Sequence, residues 1–204
     1  MVTPAVIKTL TDKDTVMVEI VDQMDLPFLQ SSGDVFYDLS SCILDQQIHY
    51  RSKGTYMKKF LELSDGEMPS PLVIKALVPE DFVQKKIAGN KYAALQNLAS
   101  YWSDHKLDIV GWTGLTYDEI VERLSPIRGI GSWTIHMIML YTLQHPDIFD
   151  PNDYQLKKIM KEMYGLEDSG LTTEMTRISE NWKPYRSYAT RYLLEWGKTS
   201  KLRS

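Results

Sequence analysis

Apolar positions along this chain recur at helical spacing almost from end to end. Val35, Phe36, Leu39, Ile43 and Leu44 fall three and four residues apart, and Tyr56 and Phe60 continue the theme after Gly54. The stretch "SPLVIKALVPEDF" starts a helix, with Ser70 as its cap and Pro71 in its first turn. Ala94, Leu95, Leu98 and Trp102 form one stripe of the next helix. "TYDEIVERL" opens on a capping box, Thr116 with Glu119, and must stop before Pro126. "TIHMIMLYTLQ" is apolar on nearly every side, which predicts a buried helix. "YQLKKIMKEMYG" is amphipathic and ends at Gly165, and a last helix runs from Pro184 to a close at Gly197.

No strand-like alternation, internal repeat, low-complexity segment or long linker interrupts this pattern. The expected class is all-α with nine or ten helices, and 204 residues suit one domain or two closely packed lobes.

Composition narrows the chemistry. Hydrophobic residues make up 43% of the chain, enough for a real core. No apolar stretch approaches the roughly 18 residues that a membrane span needs. The N-terminal "MVTPAVIKTLTDKD" is too polar for a secretory signal. Cys42 is the single cysteine, which excludes an internal disulfide framework and any four-cysteine iron–sulfur or zinc site. A reducing intracellular compartment is expected. The net charge of −4 weighs mildly against a nucleic-acid partner. Basic residues nevertheless gather at Lys85, Lys86 and Lys91, at Lys157, Lys158 and Lys161, and at Lys183, Arg186 and Arg191. They are either solvated helix faces or contacts to phosphate.

Two stretches carry candidate chemistry. In "RLSPIRGIGSWT" one helix ends, the chain turns, and another begins. Gly129 and Gly131 permit positive φ and close approach of another backbone. The free N–H groups near Gly131 to Trp133 would form an anion site, although an ordinary helix–helix turn reads the same way. In "HPDIFDPNDYQLKK", Pro151 and Asn152 are turn residues and Asp153 stands where a helix begins. Asp153 is then either an N-cap alone, or a fixed anion that could stabilise a developing cation or orient a water. Asp147 and Asp150 read as turn and surface residues. His49, His105, His136 and His145 lack the spacing of zinc ligands, and "DIFDPND" lacks the glycine and terminal glutamate of a calcium loop. Cys42 and His136 read as core residues.

The hairpin "LSPIRGIGSWT", its spacing to "FDPNDYQLKK", and the later "NWKPYRSYATRYL" together resemble the helix-hairpin-helix (HhH-GPD) DNA glycosylase superfamily. The branch resembled is DNA-3-methyladenine glycosylase II, the alkylation-repair type. Upstream, "SSCILDQQIHYRSKGTYMKKF" is similar to that branch's helix and loop with a Q-Q pair, and "IAGNKYAALQNLA" to its G-x-x-K helix. The resemblance runs over about residues 34–197, with the hairpin motif at about 117–143. It implies two helical lobes flanking an active-site cleft, a monomer, and double-stranded DNA containing alkylated bases as the partner, with no membrane.

Carried over residue by residue, the resemblance makes Asp153 the catalytic aspartate. Gly129, Ile130, Gly131, Ser132, Trp133 and Thr134 become the phosphate-binding hairpin, and Gln47 the side chain that fills the gap left by a flipped nucleotide. Trp133, Met137 and Leu194 fall on base-pocket positions; Met137 and Leu194 are less aromatic than the pattern, which leaves base selectivity open. No cofactor is implied beyond a structural sodium or potassium ion on the carbonyls of Ser125, Ile127 and Ile130. Bifunctional members carry a nucleophilic lysine where this chain has Trp133, so water rather than an amine is expected as the attacking group. A non-catalytic DNA-binding protein of the same fold, or a glycosylase for another lesion such as hypoxanthine, are the alternative readings.

Overall fold

The computed structural model describes residues 2–27, 29, 31–46, 53–67 and 69–199. Among the described residues there are twelve α-helices, two short 3-10 turns and one π-turn, and no strand. The chain forms two compact units, Met1–Ser31 with Met139–Ser204, and Ser32–Ile138.

The first unit opens with α1 (Pro4–Thr11), capped by Thr3, and α2 (Thr15–Gln23), capped by Asp14. The second unit then begins with α3 (Val35–Asp45), whose apolar stripe Val35, Phe36, Leu39, Ile43 and Leu44 is fully buried as its spacing requires. Helix α4 (Lys53–Leu61) takes Gly54 inside its first turn and buries Phe60. The segment read as one helix after Ser70 is two, α5 (Pro71–Ala76) and α6 (Pro79–Gln84). Pro79 forces the break, because Val78 before it must be extended (φ −111°, ψ 161°). That break adds one helix, and α1, α2 and the later α11 (Leu171–Ser179) bring the described total above the nine or ten expected.

Helix α7 (Gly89–Asp104) buries Leu95, Leu98, Ala99 and Trp102, with Ala94 half-buried. Trp102 meets Phe36 edge-on at 5.2 Å and stacks on Trp112 at 5.6 Å. Helix α8 (Tyr117–Leu124) carries the Thr116–Glu119 capping box, and α9 (Ser132–Met137) follows the hairpin turn.

The apolar segment after the hairpin is therefore not one regular helix. At Ile138–Thr142 the backbone widens into a π-turn, and the chain passes into the first unit there. Ile138, Met139 and Leu140 are buried, while His136, Met137 and Tyr141 are half-buried. The first unit resumes with α10 (Tyr154–Tyr164), closed by Gly165 in the left-handed region, then α11 (Leu171–Ser179) and α12 (Arg186–Thr199).

Helix α12 departs from the expected Pro184–Gly197 span for two tertiary reasons. The Asp147 carboxylate accepts the Arg186 N–H at 3.2 Å, capping the helix from a distant segment. Gly197 lies inside the helix because Ile159 occupies its side-chain space: a Cβ there would sit 2.4 Å from Ile159 Cδ1.

This unit's core joins Leu10, Met17 and Ile20 of the first two helices to Leu156, Met160, Met175, Trp182 and Leu193. Full burial of each such aliphatic side chain is worth about 1.5–3 kcal/mol. Asp14 locks the arrangement. Its Oδ1 accepts the Met17 N–H at 3.0 Å, and its Oδ2 accepts Tyr164 Oη–H at 2.8 Å and Trp182 Nε1–H at 2.9 Å. Burial, then the Asp14 anion, push the Tyr164 phenol far above its ordinary range.

Candidate functional site

In the second unit, α8 ends in tight turns. Ile127 N–H donates to Leu124 C=O at 3.2 Å and Ile130 N–H to Ile127 C=O at 3.0 Å. Ile127 and Ile130 are buried and anchor the turn. Gly129 and Gly131 are glycines for different reasons. Gly129 has φ +103°, and a Cβ there would lie 2.8 Å from Ala94 Cβ, so the fold itself demands glycine. Gly131 has an ordinary φ of −95°, and nothing stands within 4 Å of the place its Cβ would take. It is the N-cap of α9 and supplies no side-chain cap to the first-turn N–H groups.

Trp133 stands on that first turn, 37% exposed. More than a third of its surface is open to solvent. Met137 follows one turn later on the same helix and is half-buried. Ser132 is exposed and Thr134 buried, so the hairpin residues divide between surface and support. His136 is half-buried and lies 2.9 Å from Tyr117 Oη, a bond between the two hairpin helices rather than a core site. Cys42 is also only half-buried.

In the first unit, Asp153 is the N-cap of α10. Its Oδ1 accepts the Leu156 N–H at 2.8 Å, and 8% of its surface is exposed. The turn that delivers it is built by Asp150, whose Oδ1 accepts the Asn152 N–H at 2.9 Å and whose carbonyl accepts the Asp153 N–H at 3.1 Å. Asp150 is thus a turn residue as expected, but a buried one. Tyr154, next to Asp153, is 75% exposed.

Tyr141 of the π-turn lies within electrostatic range of Asp153. Burial pushes its phenol above the ordinary value; the Arg191 guanidinium pulls it back, and the Asp153 and Glu195 carboxylates raise it further. Tyr141 is a functional candidate that sequence reading missed. Leu194 is half-buried on α12 against this unit's core. Gln47 lies outside the described residues.

The expected basic contacts fare unevenly. Lys91 is 3% exposed and bonded to the chain itself, so it is not a surface contact to phosphate. Arg186 grips Asp147 with both arms, Nε to Oδ1 at 2.7 Å and Nη2 to Oδ2 at 2.9 Å. Asp147 is therefore no mere surface residue. Burial alone would raise its carboxyl, but the Arg186 hydrogen bonds outweigh that and hold it below its ordinary 3.8. Arg191 donates to Pro27 C=O at 2.8 Å, and Lys85, Lys161 and Lys183 pair with Glu62, Asp168 and Glu180. No helix among the described residues is long and apolar enough to cross a membrane.

No family model matches the chain. Known proteins do. A putative DNA-3-methyladenine glycosylase of Bacillus subtilis, YfjP, is 27% identical over 165 residues, covering 78% of this chain and 58% of that protein. DNA-3-methyladenine glycosylase 1 of Schizosaccharomyces pombe is 25% identical over 169 residues, covering 82% and 73%. The chain thus spans little more than half of the first of these relatives.

Among solved structures, the S. pombe 3-methyladenine DNA glycosylase Mag1 in complex with abasic DNA superposes with a TM-score of 0.82. The two are 19% identical, and the match covers 96% of this chain and 98% of that one. That likeness establishes the fold. In sequence, the chain is similar to proteins named as DNA-3-methyladenine glycosylases.

Proposed function

We propose that this protein removes alkylated purines, of the 3-methyladenine and 7-methylguanine type, from double-stranded DNA by hydrolysing the N-glycosidic bond. The observation that carries the reading is the glycine at the N-cap of α9. Gly131 leaves the first-turn N–H groups without a side-chain cap, and neither its φ nor its packing calls for glycine. A helix start of this kind suits a phosphate, which supplies position rather than sequence preference. The relatives named for 3-methyladenine support the choice of substrate.

In this reading the damaged nucleotide leaves the stack at a cost of a few kcal/mol. Gln47 partly fills the gap, and the exposed face of Trp133 receives the base, which it attracts more strongly when the base is cationic. Met137 and Leu194 stand at the other base-contacting positions that the resemblance implies. A purine methylated at N3 or N7 carries positive charge and departs readily. The protein then needs a fixed anion for the oxocarbenium-like sugar, which is the role of Asp153. Trp133 offers no amine, so water completes the reaction and no lyase step follows. The carbonyls of Ser125, Ile127 and Ile130 would hold a sodium or potassium ion that stiffens the turn. They are hard neutral donors suited to such an ion, although Ile127 already spends one lone pair on Ile130 N–H. The protein acts as a monomer inside the cell.

The test is to incubate purified protein with methylated duplex DNA and identify the released bases by chromatography. Released 3-methyladenine supports the reading. Binding to DNA with no base released favours a non-catalytic DNA-binding protein, and release of hypoxanthine alone from deaminated DNA reassigns the lesion.

A further inference from the structure

One stripe of α7 is spent on the hairpin turn. Lys91, Ala94 and Asn97 lie three residues apart and so share a face. Asn97 Nδ2 donates to Arg128 C=O at 3.2 Å. Ala94 is the small side chain against which Gly129 rests, with no room for a Cβ between them. Lys91 acts through a second residue. Its buried ammonium donates to Ile43 C=O at 2.7 Å and to Gln46 C=O, carbonyls at the end of α3. Those carbonyls and the negative end of the helix compensate a cation that would otherwise be costly to bury. Burial still pulls the Lys91 ammonium below its ordinary value, with Asp45 opposing.

Gln46, fixed in this way at the end of α3, turns its carboxamide nitrogen to the hairpin. It donates to Gly129 C=O at 3.2 Å and lies 3.4 Å from Thr134 Oγ1. These two acceptors bracket the stretch that carries the candidate phosphate amides, Gly131, Ser132 and Trp133. A bonded group on each side of a three-residue segment restrains it where α9 itself supplies no cap.

We infer that Gln46, held by Lys91, is a positioning residue that presets the hairpin amides for a DNA phosphate. The inference rests on the reading of the hairpin as a DNA grip. Its physical basis is preorganisation: a turn already fixed in the free protein loses less freedom on binding.

The test uses the full chain with Gln46→Met, which keeps length and neutrality but removes the donor. A neutral replacement matters, because a new carboxylate would itself repel DNA. Hydrogen exchange of the amides of residues 130–135 is read in the free protein. Affinity is read with a duplex containing a tetrahydrofuran abasic-site analogue, and single-turnover excision with methylated DNA at saturating protein.

Exchange at Ile130 and Ile135, whose N–H groups donate to Ile127 and Gly131 C=O, should quicken about tenfold and Kd rise by about five- to tenfold, as expected for one lost hydrogen bond. Excision at saturation should stay within about twofold, a split between binding and chemistry that loss of general stability does not produce. Lys91→Met should move affinity the same way; if it does not fold, Gln46→Met still decides. Unchanged exchange, or wild-type affinity in folded Gln46→Met, overturns the inference. A wild type that binds no DNA at all overturns the repair reading and this role with it, whereas wild-type binding matched by Gln46→Met overturns the role alone.

Discussion

Asparagine at position 153 would keep the helix cap and remove the charge, so Asp153→Asn separates two jobs that one side chain performs. In the cap bond Asp153 Oδ1 accepts Leu156 N–H at 2.8 Å. A carboxamide oxygen can accept the same bond, and Asn ranks with Asp as an N-cap. What is lost is the attraction between an anion and the helix start, about 0.3–1 kcal/mol. Asp153→Ala also loses the bond and should cost about 0.5–2 kcal/mol. Catalysis should respond very differently. If the carboxylate stabilises a cationic sugar, Asp153→Asn should slow excision at least on the order of a hundredfold, equivalent to about 2.7 kcal/mol of barrier. The two scales are read by urea unfolding and by single-turnover excision of methylated DNA, with abasic-analogue binding as the control for DNA affinity. A rate within about threefold of wild type in Asp153→Asn would refute the argument and leave Asp153 as a cap alone.

The other expectations concern glycines and acid. Gly131→Ser should raise stability by a few tenths of a kcal/mol in thermal melts, because serine can cap α9, while DNA affinity in an anisotropy titration falls; a rise in both would contradict a phosphate at that helix start. Gly129→Ala should cost about 1–3 kcal/mol in urea unfolding, from φ +103° and the contact with Ala94, and a second change of Ala94→Gly should recover only the contact part. Asp147→Asn should destabilise the protein by about 1–2 kcal/mol at neutral pH, since the Arg186 pair is partly buried. Because the folded carboxyl is held below 3.8, that contribution is present above pH 3.8 and fades as pH falls through the lower folded value, so wild type and variant should converge in acid. A difference between them that persists well below that range would count against the ion pair as its source.

What was legible in the sequence is chemistry that acts within a few residues. Ser70, the Thr116–Glu119 pair and Gly165 cap helices as their neighbours suggested, and the buried stripe of α3 follows from spacing alone. Asp153 was legible as the first residue of a helix, and the two hairpin glycines as a turn. What escaped depends on groups far apart in the chain. Gly197 looked like a helix end, but it is a dent for Ile159. Lys91 looked like part of a basic patch, but only the end of α3 reveals where its charge is spent. Gln46 was visible as half of a Q-Q pair, yet its hold on the hairpin spans more than eighty residues of sequence. The π-turn that holds Tyr141 leaves no trace in hydrophobic periodicity.

The unit containing Asp153 is assembled from two separated stretches of the chain, Met1–Ser31 and Met139–Ser204. During synthesis α1 and α2 leave the ribosome before the rest of their unit, with Leu10, Met17 and Ile20 still uncovered and Asp14 still without Tyr164 and Trp182. They must wait while all of Ser32–Ile138 is translated, roughly 5 to 20 s at cellular elongation rates of about 5–20 residues per second. The hairpin-bearing unit, continuous in sequence, is complete before its companion can close. The carboxylate-bearing half of the molecule is therefore the one exposed to proteases and to wrong partners on the nascent chain.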